Sequence, residues 1–456
     1  MDVNLERILR DQREELLNTD YSQFITRCEE SQIDLDSHLA QIVIGVRRCG
    51  KSTICQKVLV ESKIHFAYVN FDDEELASLQ VGDLNDVIQT LYRIYGSFTH
   101  LFMDEIQNVP KWHLFVNRLL RQGIHIVLTG SNANLLSGEL ATHLTGRYNE
   151  IHLYPFSFRE YCMAKKIDTH ALTTKSAGLL MNALDSYLQQ GGFPETLSMA
   201  RHDKYIASLL AAVIAKDICQ RYKVRYKKTL QQLVNGLLDR FCQEVSYGDL
   251  QEAYQLGTIH TTKNYVSYLE NAYLLRLVPR YSFKSIERQT MRKAYCIDNA
   301  FITNHEDALQ TENLGWRLEN VVAIELFRRM ENELQQLYYL RQHKSYEVDF
   351  ALVERNKVLQ LIQVTYDFNQ PKTKLYNREI GGLLKGSAAT GCTNLTLIMM
   401  SGEEGDVEID GLIIHKVLAV HWLVEKRQEN QNRLNVCVVQ DYHYLCTKDS
   451  KMIVSN

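Results

Sequence analysis

The stretch Gly45-Val46-Arg47-Arg48-Cys49-Gly50-Lys51-Ser52 constrains this chain more than any other. It satisfies the pattern G-x-x-x-x-G-K-[ST] in full, the Walker A or P-loop pattern, and stands in the context that pattern needs. The apolar run LAQIVI before it reads as a strand, and STICQKVLVES after it reads as a helix. Glycines let the backbone bend until its N–H groups converge on phosphate oxygens. The start of the helix adds the positive end of its dipole. Lys51 is expected to reach the β- and γ-phosphates of a nucleoside triphosphate as a point charge, and the Ser52 hydroxyl to ligate Mg2+. Gly45, Arg48, Cys49 and Gly50 belong to the same cradle, and Thr53 helps to hold the α-phosphate.

Two further strand ends fit that chemistry. His100-Leu101-Phe102-Met103 is apolar and runs into Asp104-Glu105. Asp104 is expected to hold Mg2+ through a water, and Glu105 to polarise the water that attacks the γ-phosphate. Leu128-Thr129-Gly130 runs into Ser131-Asn132, either of which has the chemistry to orient that water or touch the γ-phosphate. Arg147, in Leu144-Thr145-Gly146-Arg147, suits a guanidinium placed on a neighbouring subunit's γ-phosphate, a role that requires a homo-oligomer. Arg221 is the alternative for that role.

The composition sets the frame around these residues. The chain has 456 residues, 45% apolar and 23% charged, as in ordinary globular chains. Its net charge of −4 excludes a wholly basic nucleic-acid coat but leaves room for a local basic face. No run of 18 apolar residues and no secretion signal occur, so no membrane partner is expected. The ten cysteines form no C-x-x-C pair and read as reduced thiols, which implies a cytoplasmic address. Cys49 is read as a small filler of the loop. No paired His spacing points to zinc.

Apolar runs alternating with helical stretches predict an α/β fold with a parallel sheet over 38–165. Residues 1–37 form an N-terminal helical segment, with Leu5, Ile8, Leu9, Leu16 and Leu17 at helical spacing for docking. A helical subdomain is expected over 166–228, three short helices and a strand over 229–290, and mixed strands and helices over 291–430. Within that last part a helix is predicted at 314–335. Residues 431–456 form a C-terminal extension, read as an added strand pair.

The motifs GVRRCGKST, LFMDEIQNVPKW, LTGSNANLLSGELATHLTGRY, LYPFSFREY and GGFPE occur in one order over most of 38–370. On them the chain resembles the AAA-type ATPases whose C-terminal half carries the domain DUF4143. That resemblance implies an ASCE-class P-loop core, then a winged helix over 229–290, then a degenerate restriction-endonuclease-like PD-(D/E)XK fold over 291–430. In the winged helix, Val245–Ala253 is expected as a capped second helix and Thr261–Tyr273 as the recognition helix. Lys263, Arg276, Arg280, Lys284 and Arg288 are its candidate phosphate contacts.

In the endonuclease-like part, Glu319 sits on a helix and Asp349 ends the strand YEVDF. The next strand puts Gln363 where an active site presents an acid and Thr365 where it presents a lysine. Gln removes one negative charge from a cation's shell, and Thr supplies no ammonium. Nuclease activity is therefore expected to be absent or weak. The sequence thus supports MgATP hydrolysis coupled to a module that contacts DNA or protein. An ATP-responsive scaffold with negligible turnover is the alternative, and an ATP-gated nuclease is opposed by Gln363 and Thr365.

Overall fold

The computed structural model describes residues 2–425, apart from 132–143, 145, 171–172, 200, 283–287, 289, 307, 309–312, 331–333 and 367–373. The extension at 431–456, Asn132 and Lys284 lie outside the described residues.

The first half is a parallel sheet wrapped by helices. In chain order it consists of α1 (Asp2–Asn18), β1 (Ala40–Ile44), α2 (Lys51–Glu61), β2 (Phe66–Asn70), α3 (Leu84–Tyr95), β3 (His100–Asp104), α4 (Trp112–Arg121), β4 (His125–Gly130) and β5 (Tyr148–His152). The strand order is β2-β3-β4-β1-β5, and every pairing is parallel. Every residue of β1 and β3 is buried, because helices cover both faces. Strands β1, β3 and β4 fall on the runs that the sequence marks before the loop, before Asp104 and before Ser131.

Helix α1 buries Leu5, Ile8, Leu9 and Leu16, but Leu17 is 69% exposed. With Leu16 turned inward at the last turn, its neighbour Leu17 is rotated about 100° away from it, toward solvent. The helix also closes an edge. The Gln12 side chain donates to the Asn70 carbonyl at 3.1 Å and accepts from the Asn70 N–H at 2.9 Å. It thereby satisfies edge strand β2, where unpaired backbone groups would otherwise recruit another chain.

Next come α5 (Phe158–Ala164), α6 (Thr174–Gln190), α7 (His202–Ala212) and a π-helical segment, Val213–Gln220. Ser157 caps α5 through a reciprocal box with Glu160, and α6 ends on Gly191 with φ 73°. The chain continues through α8 (Lys227–Asp239), β6 (Glu244–Val245), α9 (Tyr247–Ala253), α10 (Ile259–Asn271), β7 (Leu275–Pro279) and β8 (Arg292–Cys296). The Ser246 and Thr258 side chains accept the Asp249 and Thr261 amides in the first turns of α9 and α10. Strands β6, β8 and β7 form an antiparallel sheet in that order, so a strand beyond residue 290 pairs with residues before it.

The remainder comprises α11 (Asn299–Asn304), α12 (Leu314–Arg329), β9 (Gln335–Gln342), β10 (Tyr346–Glu354), β11 (Lys357–Thr365), α13 (Lys374–Thr390), β12 (Leu395–Met399), β13 (Gly405–Ile409), β14 (Leu412–Leu418) and α14 (Ala419–Val424). The mixed sheet runs β13-β14-β12-β11-β10-β9. Helix α12 stops at Arg329, where Met330 turns extended at ψ 123°, rather than continuing to 335. One hydrophobic core runs from Leu5 to Leu423, and a smaller one lies within the mixed sheet and includes Ile380 and Leu383 of α13.

Candidate functional site

The carboxyl ends of β1, β3 and β4 lie side by side, with Ile44 in register with Gly130 and Met103 with Leu128. The phosphate-loop motif leaves β1 there. Two of its glycines are dictated by geometry. A Cβ on Gly45 would stand 2.0 Å from the Leu153 carbonyl oxygen, and Gly50 has φ 100°, which side chains disfavour. Cys49 is wholly buried beneath the loop, 3.4 Å from the same carbonyl. Burial pushes its thiol up, against the pull of Lys51 and Arg27.

Lys51 is 4% exposed, and its ammonium donates to the Val46 carbonyl at 3.1 Å. Its nearest carboxylate is Glu105, 3.8 Å away. The Ser52 hydroxyl donates to Asp104 at 3.0 Å. Thr129 donates to the same Asp104 oxygen and accepts the Glu105 N–H at 3.0 Å, so the end of β4 fixes both acids. Glu105 is held in the left-handed region at φ 51°, and Gln107 donates to its carboxylate. Burial, then the neighbouring Glu105, pushes the Asp104 carboxyl up to about 6, although Thr129, Ser52 and Lys51 oppose the shift. A buried acid at that value beside a hydroxyl has the donor set for a hard divalent cation. The glycine cradle and the poised ammonium likewise have the chemistry for a phosphate chain. Thr53 sits half-buried on α2.

Several partners of the loop escaped sequence reasoning. Arg47 forms a paired contact with Asp217 of the π-helical segment, both bonds 3.1 Å, and lies 3.5 Å from Asp72. Ser131 also donates to Asp217, at 3.2 Å, so Asp217 joins the loop to the end of β4. Arg48 is exposed and pairs with Glu195 of the GGFPE motif at 3.1 Å. Beneath the loop, buried Arg27 donates to the Cys49 and Tyr154 carbonyls and to Glu160 at 2.6 Å. The motif residues Tyr154 and Glu160 hinted at this support, but nothing near Arg27 did.

Arg147 stands apart. It is exposed, and its carbonyl accepts the Ala40 N–H at 2.9 Å, at the amino end of the strands, opposite the loop. It is thus remote from its own chain's loop. Arg221 is nearer, with its guanidinium 4.0 Å from Asp217.

The candidate nuclease residues also converge, around a cation that the sequence did not reveal. Lys293 of β8 lies 3.1 Å from Glu319, 2.7 Å from Glu347 and 3.6 Å from Asp349. Burial works against its charge, but those three carboxylates win and raise it well above the ordinary lysine value. Burial and Glu319 push Asp349 up as well. Gln363 donates to Glu379 at 2.5 Å and faces the Asp349 N–H at 3.3 Å. Thr365 is buried at the end of β11. Among the described residues, no group of three or more His, Cys, Asp or Glu is arranged to hold a metal ion.

Of the candidate phosphate contacts in 229–290, Arg276 points inward. Its guanidinium stacks on Tyr273, Phe327 and Tyr154 at 5.2, 5.6 and 5.8 Å. Lys263 lies over the Tyr247 ring at 5.7 Å, Arg280 donates to the Arg341 carbonyl, and Arg288 donates to the Ser282 carbonyl at 2.8 Å.

Among the described residues no helix is long and apolar enough to cross a membrane. The eight described cysteines are free.

Comparison with known proteins agrees with the loop geometry. Residues 37–162 match an AAA domain. Residues 181–313 match a domain of unknown function, DUF8612, where the resemblance had named DUF4143. An uncharacterized protein of Haemophilus influenzae is 28% identical over 409 residues, covering 86% of this chain and 95% of that protein. Among solved structures, the Aeropyrum pernix ORC1 protein in complex with DNA is 15% identical and has a TM-score of 0.31, over 68% of this chain and 97% of that one. The uncharacterized protein MJ1544 of Methanocaldococcus jannaschii is 31% identical over 365 residues, 77% of this chain and 81% of its own length. With that match the chain belongs to the same family as the Methanocaldococcus jannaschii protein, and its AAA domain makes it a P-loop AAA-type ATPase by fold.

Proposed function

We propose that the chain binds MgATP at the loop between β1 and α2, hydrolyses it, and couples turnover to a C-terminal module that contacts DNA or protein. One observation carries the reading: Ser52, Asp104, Glu105 and Lys51 meet at the carboxyl ends of adjacent strands, with the Ser52–Asp104 contact at 3.0 Å and the Lys51–Glu105 contact at 3.8 Å. The loop amides from Gly45 to Ser52, with Arg48, Cys49 and Gly50 among them, enclose the phosphates. Lys51 exchanges its carbonyl partner for phosphate oxygens, and Thr53 steadies the α-phosphate. Ser52 and Asp104 hold Mg2+, which when bound neutralises charge on the β- and γ-phosphates. Glu105 takes the proton of the attacking water, and Ser131, or Asn132 in its place, orients that water or touches the γ-phosphate. Arg147 acts on a second copy of the chain, since its backbone lies at the end of the strands opposite its own loop.

Helices α8 to α10 followed by the β7–β8 hairpin support a winged helix, and Glu319, Asp349 and Gln363 on a helix and adjoining strands support a PD-(D/E)XK-like fold. Lys293 neutralises that cluster, which favours loss of nuclease chemistry.

The test is Mg-dependent ATP turnover beside a thermal melt. Turnover is expected in the native chain and lost in Lys51→Ala. Glu105→Gln nearly stops turnover but keeps the stabilisation by ATP, since a ligand selective for the folded state raises apparent stability. Undiminished turnover in both variants rejects the reading. ATP stabilisation without any turnover selects the scaffold alternative, which the engagement of Glu105 by Gln107 and Lys51 favours. Plasmid cleavage with Mg2+ or Mn2+ is expected to be absent, and cleavage abolished by Asp349→Ala would restore the nuclease.

A further inference from the structure

The stretch between the π-helical segment and α8 carries a charge pattern that the phosphate site does not use. No acidic residue stands between Asp217 and Asp239, whereas Arg221, Lys223, Arg225, Lys227 and Lys228 do. The order is a tandem repeat, Arg221-Tyr222-Lys223 and Arg225-Tyr226-Lys227. Lys223, Arg225, Lys227 and Lys228 are all exposed. Among the described residues, none of these four forms an ion pair. The chain as a whole is acidic, at −4, so this positive ribbon is a local departure from its balance. Four like charges on a short segment repel one another unless an anion neutralises them.

The two tyrosines of the repeat are used differently. Tyr222 stacks on Tyr268, ring centroids 3.8 Å apart and planes 8° apart. Tyr226 is 58% exposed, with the Arg225 guanidinium 5.4 Å from its ring centroid. The protein thus presents to solvent a flat aromatic ring flanked by cations. An acidic peptide needs the charges but not the ring, whereas a nucleotide strand uses both, its phosphates on the cations and a base on the ring. The ribbon begins two residues beyond Arg221, whose guanidinium is 4.0 Å from the Asp217 carboxylate that grips Arg47 of the phosphate loop. From these features we infer that residues 223–228 form a binding surface for single-stranded nucleic acid, with Lys223, Arg225, Lys227 and Lys228 on the backbone and Tyr226 under a base.

This rests on the reading of nucleic acid as a partner and not on ATP hydrolysis. The experiment is fluorescence anisotropy of a labelled oligothymidylate with the full chain at two salt concentrations, with poly-glutamate as competitor. The native chain is expected to bind, with a log–log salt slope made steeper by about 0.7 for each phosphate contacted. Lys223→Gln/Arg225→Gln/Lys227→Gln/Lys228→Gln should weaken binding at least about ten-fold and flatten the slope by up to about 3. Tyr226→Ala should weaken the oligothymidylate several-fold and leave poly-glutamate competition unchanged. Unaltered melting temperatures certify that these variants fold. Undiminished binding in the quadruple variant, with loss in Lys263→Gln/Arg288→Gln, overturns the ribbon and leaves the partner reading standing. No binding by the native chain at low salt overturns both. Equal or tighter binding of poly-glutamate, indifferent to Tyr226, overturns the inference in favour of an acidic protein.

Discussion

Two of the buried lysines beside acids, Lys51 and Lys293, face opposite ways energetically. Lys51 donates to one carbonyl of its own loop and stands 3.8 Å from a single carboxylate. Lys293 touches three carboxylates at 2.7 to 3.6 Å. Burial opposes both charges, but only the second is repaid within the fold. The first ammonium keeps its capacity for an incoming anion, and the second is the internal counter-ion of the cluster around Glu319 and Asp349. A lysine beside acids therefore marks a binding site only when the acids leave its charge unspent.

The largest break of this comparison is Lys293→Met. It strands buried carboxylates, and the fold should lose about 4 kcal/mol, read by denaturant unfolding. A loss under 1 kcal/mol would show that the cluster does not need its cation. Lys51→Met should do the reverse. Unfolding free energy should stay within about 1 kcal/mol, while ATP turnover falls about 100-fold or more, on the scale of removing one positioned charge donor.

Asp104 gives a smaller effect of defined sign. Its folded value of about 6 lies above the ordinary 3.8, so the folded state holds the proton more tightly than the unfolded chain. The stabilisation from that proton is complete below about pH 4 and is lost as pH rises through about 6. It amounts to roughly 3 kcal/mol. Asp104→Asn should remove this component, so native and variant melting curves without nucleotide should differ more at pH 7 than at pH 4. A constant difference would refute the buried, proton-hungry acid. The smallest effect sharpens the contrast. Gln363→Glu/Thr365→Lys restores the residue types of an active endonuclease strand, but Lys293 still neutralises the cluster. No DNA cleavage is expected, and measurable cleavage would break the comparison.

What the sequence made legible follows from chain distance. Strands β1, β3 and β4, the loop between β1 and α2, and the Asp104–Glu105 pair were readable because apolar runs and motif residues are contiguous. Arg47 and Asp217 are 170 residues apart, and no local pattern couples them. Lys293 sits on a strand whose neighbours only the folded sheet reveals. Strand β13 was missed because its five residues are largely exposed and only Val407 and Ile409 are apolar. Leu17 was misjudged because spacing alone does not say which of two adjacent leucines faces the core.

The widened coil at Val213–Gln220 has a consequence of its own. An ordinary α-helix turns about 100° per residue, and a π turn accommodates an additional residue without that rotation. Inserting a further residue between Val213 and Lys216, which the widened coil has no second bulge to absorb, would swing position 217 by about 100° around the axis. The carboxylate that now clasps Arg47 and receives the Ser131 hydroxyl would face elsewhere, and both would lose their shared acceptor although each residue's identity was untouched.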